Sequence, residues 1–352
     1  MSKKVVAVVF GGCSPEYEVS LNSSFSIINA IDREKYDVIL IGITKQGSWF
    51  RYTGAVEDIP TDKWHSNDAV LTRAFVSPER GVGLMEIRNG SVQSVPVDVV
   101  FPMLHGRFGE DGTIQGLCEL AGVPCVGSGA AASALCMDKS RAHKLISTKG
   151  IRVPRSVCYE YVPTEGEIHA SVKELGLPVY VKPVKAGSSF GISKVEDAAD
   201  LAQAVKLAFC FDDAVVLEEN IDGFEARCSV VGNNELTVGR VDEIELSDGF
   251  FTFEEKYTLK TAKIHLPARV SEEMERRLAD TAKVIYKTLG CKGYCRIDVF
   301  VTKDDEIIFN EANTIPGFTA KSGFPKMMQG IGIEYPQLVE MLIELSLENE
   351  NV

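Results

Sequence analysis

Apolar residues fall along the chain in two periods, and their alternation sets out the architecture. Lys4–Phe10 is an uninterrupted apolar run followed by Gly11-Gly12 and Ser14-Pro15-Glu16, a helix-start signature because Ser precedes a Pro that fits the first helical turn. A helix over roughly Pro15–Ala30 follows, apolar through Val19, Ile27 and Ile28, and then a strand over Tyr36–Ile43. Strand, glycine turn, helix and strand predict a small parallel α/β unit. Residues 52–95 carry no clear period. Val97–Pro102 reads as another buried strand and Thr113–Ala121 as a helix closed by Gly122. Further on, helices are predicted over Ser140–Thr148, Ala198–Phe209, Glu272–Leu289 and Pro336–Leu347. Strands are predicted over Leu177–Val184, Ala214–Glu219 and Glu235–Ile244, with a further strand opening at Pro154.

The sharpest pattern is Cys295–Asn313. Two strands, Arg296–Thr302 and Ile307–Asn313, alternate Val, Ile and Phe with polar residues around the turn Lys303-Asp304-Asp305-Glu306. The simplest register sets Asp298 opposite Glu311 and Arg296 opposite Asn313, all four on one face. Facing carboxylates repel unless something offsets them. Asp, Glu and Asn together form an oxygen set suited to Mg²⁺. The alternative is a solvated polar face.

At 352 residues the chain exceeds one compact core and predicts two or three domains. A net charge of −13 argues against a nucleic-acid partner, which needs a basic footprint. No apolar run approaches the roughly 20 residues of a membrane span, and the N-terminus enters a strand without a signal peptide. Nine scattered cysteines fit a reducing cytoplasm, and Cys291 with Cys295 lacks the second pair a zinc site requires.

Several loops carry candidate chemistry. His105 sits in a glycine-rich loop, residues 104–112, at the end of a buried strand, where a ligand-facing role is expected. Lys182 is the one charge in LPVYVKPV and needs an anionic partner. It leads into the small-residue loop Lys185–Ser193, which with Lys139 suits phosphate, although no Walker A loop occurs. Glu218-Glu219 ends a strand that could offer backbone to an adenine edge, with Glu218 or Glu225 accepting from the amino group or ribose. Residues 249–260 mix aromatics and charge in the manner of a lid. Gly317 offers an unshielded N–H. From residues alone, three readings stay open: an enzyme joining two substrates with nucleotide and metal, a metal-dependent sugar or acid kinase, and a nucleotide-binding regulator. Intact Arg296, Asp298, Glu311 and Asn313 speak against the regulator.

The ordered blocks VFGGCSPEYEVS, LHGRFGEDGTIQG, SALCMDKSRAHK, VKPVKAGSSFG, EEKY, CRIDVFV and NEANTIPGFT resemble the D-alanine–D-alanine ligases, over essentially the whole chain. The resemblance implies an ATP-grasp fold of class α/β (α+β) in three domains, 1–127, 128–219 and 220–352. It implies that Glu16 holds the ammonium of the first D-alanine and joins Ser188 and Tyr257 in fastening a lid. His105 would lie near the first carboxylate, and Ser322 would take that of the second substrate. Lys139, Lys182 and Lys256 would meet the phosphates of ATP; Glu218, Glu219, Ile221 and Glu225 would receive adenosine. Asp298, Glu311 and Asn313 would bind two Mg²⁺ ions, with Mn²⁺ an alternative, and Arg296 with the Gly317 N–H would hold the oxyanion. A cytoplasmic homodimer making peptidoglycan dipeptide is expected, with D-alanine and a second D-amino acid as substrates. The segment EEKYTLKTAKIHLPAR is similar to the lid region of the vancomycin-resistance D-alanine–D-serine ligases. Those usually carry Arg where this chain has Gly323, and Ala320 and Lys321 also depart from the usual Ser-His. D-Alanine is the first expectation for the second substrate and D-serine the second.

Overall fold

The computed structural model describes residues 3–187, 190–246 and 262–348. Its strands form three sheets. The first holds β1 (Lys4–Gly11), β2 (Tyr36–Ile43), β3 (Trp49–Tyr52), β4 (Leu71–Val76), β5 (Leu84–Arg88), β6 (Ser91–Val95) and β7 (Val99–Pro102), in the order β6-β5-β4-β3-β2-β1-β7. β1 pairs parallel with β2 and β7, as expected for runs buried on both faces. The remaining strands are antiparallel, so the sheet is mixed rather than purely parallel. Residues 52–95 supply that antiparallel half. Their strands are short, and Ser91–Val95 is mostly exposed, so no apolar period marks it.

The second sheet holds β8 (Ser156–Tyr159), β9 (Val179–Pro183), β10 (Ser193–Val195) and β11 (Val215–Glu219), in the order β10-β9-β11-β8. The third runs β15-β14-β12-β16-β17, from β12 (Gly223–Val231), β13 (Thr237–Val238), β14 (Asp242–Leu246), β15 (Ala262–His265), β16 (Tyr294–Thr302) and β17 (Ile307–Asn313), with β13 beside β12. Helix Glu272–Thr288 packs Met274, Leu278, Ala282 and Ile285 onto this sheet. Helix Lys139–Ser147, ahead of the second sheet in sequence, adds Ala142 and Ile146 to the same core. Helix Tyr335–Leu347 instead packs on the N-terminal core through Leu338, Leu342 and Ile343.

Helix Tyr17–Ala30 starts two residues later than the sequence suggested. Its N-cap is Glu16, and Ser14 instead accepts from the Glu16 N–H at 3.2 Å and donates to His105 O at 2.6 Å. The sequence start signal therefore ties the helix entrance to the glycine-rich loop.

Between β16 and β17 the register is the expected one at the site, Asp298 facing Glu311 and Arg296 facing Asn313. The route to it differs. Nearer the turn Val299 faces Phe309 and Val301 faces Ile307, so Asn310 is the extra residue of a β-bulge. Its carbonyl, out of the ladder, is taken by His143 Nε2 at 2.6 Å. Without the bulge, the pairing near the turn would carry Glu311 to the opposite face.

Candidate active site

Two adjoining cavities meet at the C-terminal end of β17. The larger, about 460 Å³, lies between the second and third sheets and is lined by Lys139, Lys182, Glu218, Ile221, Glu225 and Glu311 among others. The smaller, about 90 Å³, is lined by Glu16, His105, Glu110, Lys139, Arg296, Glu311, Asn313 and Gly317. Lys139 and Glu311 belong to both.

In the larger cavity the cations already have partners. Lys182 is buried and donates to Glu218 at 2.6 Å, the anion its strand position called for. Burial works against the ammonium, yet the charge and hydrogen bond of Glu218 outweigh it and hold the Lys182 pKa above its ordinary value. For Glu218 burial would raise the pKa, but Lys182, with His143 behind it, lowers it. Lys139 Nζ donates to Ala186 O at 3.0 Å and lies 3.4 Å from Glu311. Arg269 grips Glu243 at 2.6 Å on the far wall. The Glu219 carboxylate is committed elsewhere: it accepts from Arg155 N at 2.9 Å and Arg155 Nε at 2.7 Å.

The smaller cavity is held more rigidly. Arg296 donates through Nε and Nη2 to both oxygens of Asp298, at 2.7 and 2.6 Å. Asp298 is 1% exposed and Glu311 26%, so the first supplies charge from beneath while the second opens to the cavity. Their repulsion is thus met partly by Arg296 and Lys139. His105 is buried, with Nδ1 2.9 Å from Ile315 O, Nε2 3.3 Å from Ser23 Oγ, and Glu110 at 3.6 Å. Burial disfavours its charge, but Glu110 and Glu16 prevail and raise its pKa. The Glu16 carboxylate is approached by two backbones: a Cβ on Gly106 would stand 2.5 Å from Glu16 Oε2, and one on Gly187 3.2 Å from it. Gly106 also has φ +69, which suits glycine.

Most of the expected residues converge on these two cavities. Ser322 Oγ accepts from Thr319 N at 3.0 Å and closes that turn, 3.6 Å from where a Cβ on Gly317 would stand. Ser188, Lys256, Tyr257 and the rest of the expected lid, 249–260, lie outside the described residues. Sequence reasoning missed Glu110, whose Oε1 accepts from Gly106 N at 3.0 Å, and the buried Arg227–Asp242 pair. A single cation in the apolar run ARCSVV was the available signal for the latter.

Among the described residues, no three His, Cys, Asp or Glu side chains form a closed metal cage. Glu311 and the Asn313 amide instead form an open oxygen set at the cavity edge, with Asp298 beneath them, its two oxygens taken by Arg296. That suits Mg²⁺, which is held by one or two carboxylates plus substrate phosphates.

A four-stranded antiparallel sheet and a six-stranded sheet enclosing a nucleotide-sized cavity lined by paired cations and carboxylates define an ATP-grasp enzyme. The chain belongs to the D-alanine–D-alanine ligase family: the family model "D-ala D-ala ligase N-terminus" matches residues 5–128 and "D-ala D-ala ligase C-terminus" residues 148–344. It is 44% identical to a D-alanine–D-alanine ligase of Caldicellulosiruptor bescii, covering 99% of this chain and 96% of that one. It is 43% identical to the vancomycin C-type resistance protein VanC1 of Enterococcus gallinarum, over 99% of both. The crystal structure of the VanG D-Ala:D-Ser ligase from Enterococcus faecalis superposes with a TM-score of 0.89 at 50% identity, covering 98% of this chain and all of that one. The protein is an ATP-dependent carboxylate–amine ligase of a family that uses ATP, metal ions and D-amino acids. No helix among the described residues is long and apolar enough to cross a membrane.

Proposed function

We propose that the chain joins D-alanine to a second D-amino acid through an acyl phosphate, with D-alanine as the first candidate for that second substrate. One observation carries the reading: Lys139 and Glu311 line both cavities, so a nucleotide phosphate in one reaches a carboxylate in the other.

Glu16 and His105 bind and orient the first D-alanine in the small cavity. Its carboxylate attacks the γ-phosphate, with Lys139 and Lys182, and Lys256 by family resemblance, countering the developing charge. Ile221 and the main chain around Glu219 take adenine, Glu218 its amino group and Glu225 the ribose. The amine of the second substrate, its carboxylate at Ser322, then attacks the acyl phosphate while Arg296 and the Gly317 N–H hold the oxyanion. Asp298, Glu311 and Asn313 would hold Mg²⁺, two ions in this reading with Mn²⁺ an alternative, supplying further charge neutralisation at the phosphates. The family resemblance assigns Ser188 and Tyr257 to Glu16 as partners. The same reading divides the chain at 127/128 and 219/220, in line with its three sheets, and makes it a cytoplasmic homodimer with neither nucleic-acid nor membrane partners.

D-Serine as second substrate is a separate reading, favoured by the 50% identity with the VanG D-Ala:D-Ser ligase. Phosphate release with D-Ala alone, D-Ala plus D-Ser and D-Ala plus D-lactate, with dipeptide detected by mass, tests all of these. Dipeptide from D-amino acids and none from D-lactate is expected. ADP formed with the phosphoryl group retained on a single amino acid, and no dipeptide, would indicate a kinase instead.

A further inference from the structure

Helix Lys139–Ser147 carries His143 one turn after Lys139, so the two side chains share a face. Ala142 and Ile146 anchor the helix in the core under the third sheet, and Asp138 caps it, accepting from Arg141 N at 2.9 Å. The shared face meets β17 at two successive residues: Lys139 Nζ lies 3.4 Å from Glu311, and His143 Nε2 donates to Asn310 O at 2.6 Å. β17 is the edge strand of its sheet, so its outward main-chain groups must find partners elsewhere. Phe309 N donates to Arg152 O at 2.9 Å, and Asn310 O takes the imidazole.

The imidazole is committed to that one bond. His143 is 3% exposed and packs edge-on against Phe309, ring centroids 5.5 Å apart. Nε2 carries the proton, because a carbonyl only accepts. Nδ1 has no hydrogen-bond partner among the described residues, and neither has Glu218 Oε1, which stands 3.8 Å away and beyond hydrogen-bond reach. A buried acceptor left unpaired costs about 1–3 kcal/mol. Packing alone would be served better by an apolar side chain at this position.

The bond falls on the residue that decides where Glu311 points. Asn310 is the extra position of the bulge, and Asn310 and Glu311 both line the larger cavity. We propose that His143 is a positioning residue for the metal edge: it holds the Asn310 carbonyl out of the ladder and so keeps Glu311 turned toward Lys139 and both cavities. The proposal rests on the reading of Glu311 as a Mg²⁺ ligand and names the group that aims it. Groups that orient a metal ligand from behind are typically worth about 10- to 100-fold in metal affinity or activity.

Binding of Mn²⁺ to the full-length enzyme saturated with ADP, read from the loss of the free-ion EPR signal, tests this without turnover. His143→Leu removes the donor, His143→Asn keeps an amide that stops short of Asn310, and His143→Gln carries one out to the ε position. The Leu and Asn variants should bind Mn²⁺ about tenfold more weakly, and the Gln variant within about threefold of wild type. ADP without metal should bind all four proteins within about twofold, because His143 makes no hydrogen bond to the nucleotide wall; loss of packing would weaken both ligands together. Leu and Asn variants that hold Mn²⁺ within about twofold of wild type overturn the proposal, as does a Gln variant no better than the Asn one. If His143→Leu does not fold, the contrast between Asn and Gln decides alone. Wild-type enzyme that binds no Mn²⁺ in its ADP complex would overturn the metal reading of Glu311, and the proposal with it, before any variant is compared.

Discussion

The two cavities use buried charge in opposite ways. In the larger one the cations are paired with carboxylates that line the same wall: Lys182 with Glu218, Lys139 with Glu311, Arg269 with Glu243. A nucleotide phosphate must compete with those pairs, so binding there exchanges one partner for another. In the smaller one the donors are fixed from behind, Arg296 by both oxygens of Asp298 and His105 by Ile315 O. Such groups need little reorganisation when charge develops, which is what stabilising a short-lived oxyanion requires. The lesson is that an ion pair facing the ligand is provisional, whereas one behind the ligand is preorganisation.

Glu311 stands where the two regimes join, so its loss has the largest expected effect. Glu311→Gln should lower turnover by about 10³-fold, since charge stabilisation at a phosphoryl oxygen is worth several kcal/mol. Stability should change little, as this side chain is partly exposed. Mg²⁺-responsive phosphate release within tenfold of wild type would refute that.

Arg296→Lys probes preorganisation alone. It keeps a charge on Asp298 and should cost about 10²–10³ in kcat with KM for ATP nearly constant; a pure KM effect would place Arg296 among the exchangeable cations.

Lys182→Met probes the provisional side. It strands Glu218 in the interior, and about 3–5 kcal/mol of stability should go, read by urea unfolding, together with a raised KM for ATP. The pH dependence has a definite sign. Because the folded-state pKa of Glu218 lies below its ordinary value, its contribution is complete above the ordinary carboxylate range and fades as pH falls through the folded pKa. The gap between wild type and variant should therefore narrow in acid.

His105→Gln should show the opposite slope. The raised pKa of His105 makes its contribution complete below the ordinary imidazole value and lost as pH rises through the folded one. A stability difference that grows with pH would contradict the pairing with Glu110.

The smallest effect is expected far from both cavities. Thr164 and Glu167 form a capping box at the start of helix Glu165–Leu175, and Thr164→Ala should cost about 1 kcal/mol with kinetics unchanged.

What the sequence made legible follows the same division. Asp298, Glu311, Arg296 and Asn313 were readable because period-2 alternation in β16 and β17 puts them on one face. The bulge at Asn310 was not readable, because no residue there demands an extra position; only tertiary pairing shows it. The partner of Lys182 could be demanded in kind but not named, since Glu218 is 36 residues away. Strands β4–β6 escaped notice because their exposed faces dilute the apolar signal. Arg227 was passed over because Asp242, its counter-charge, lies on another strand.

Positional isotope exchange tests the central claim most directly. ATP labelled with ¹⁸O at the β,γ-bridge would be incubated with enzyme, Mg²⁺ and D-alanine alone. Scrambling of the label into the β-nonbridge positions is predicted, dependent on D-alanine and absent in Glu311→Gln. Label that stays in the bridge of the ATP recovered while D-alanine is present would show that carboxylate and γ-phosphate do not react across the Lys139–Glu311 edge.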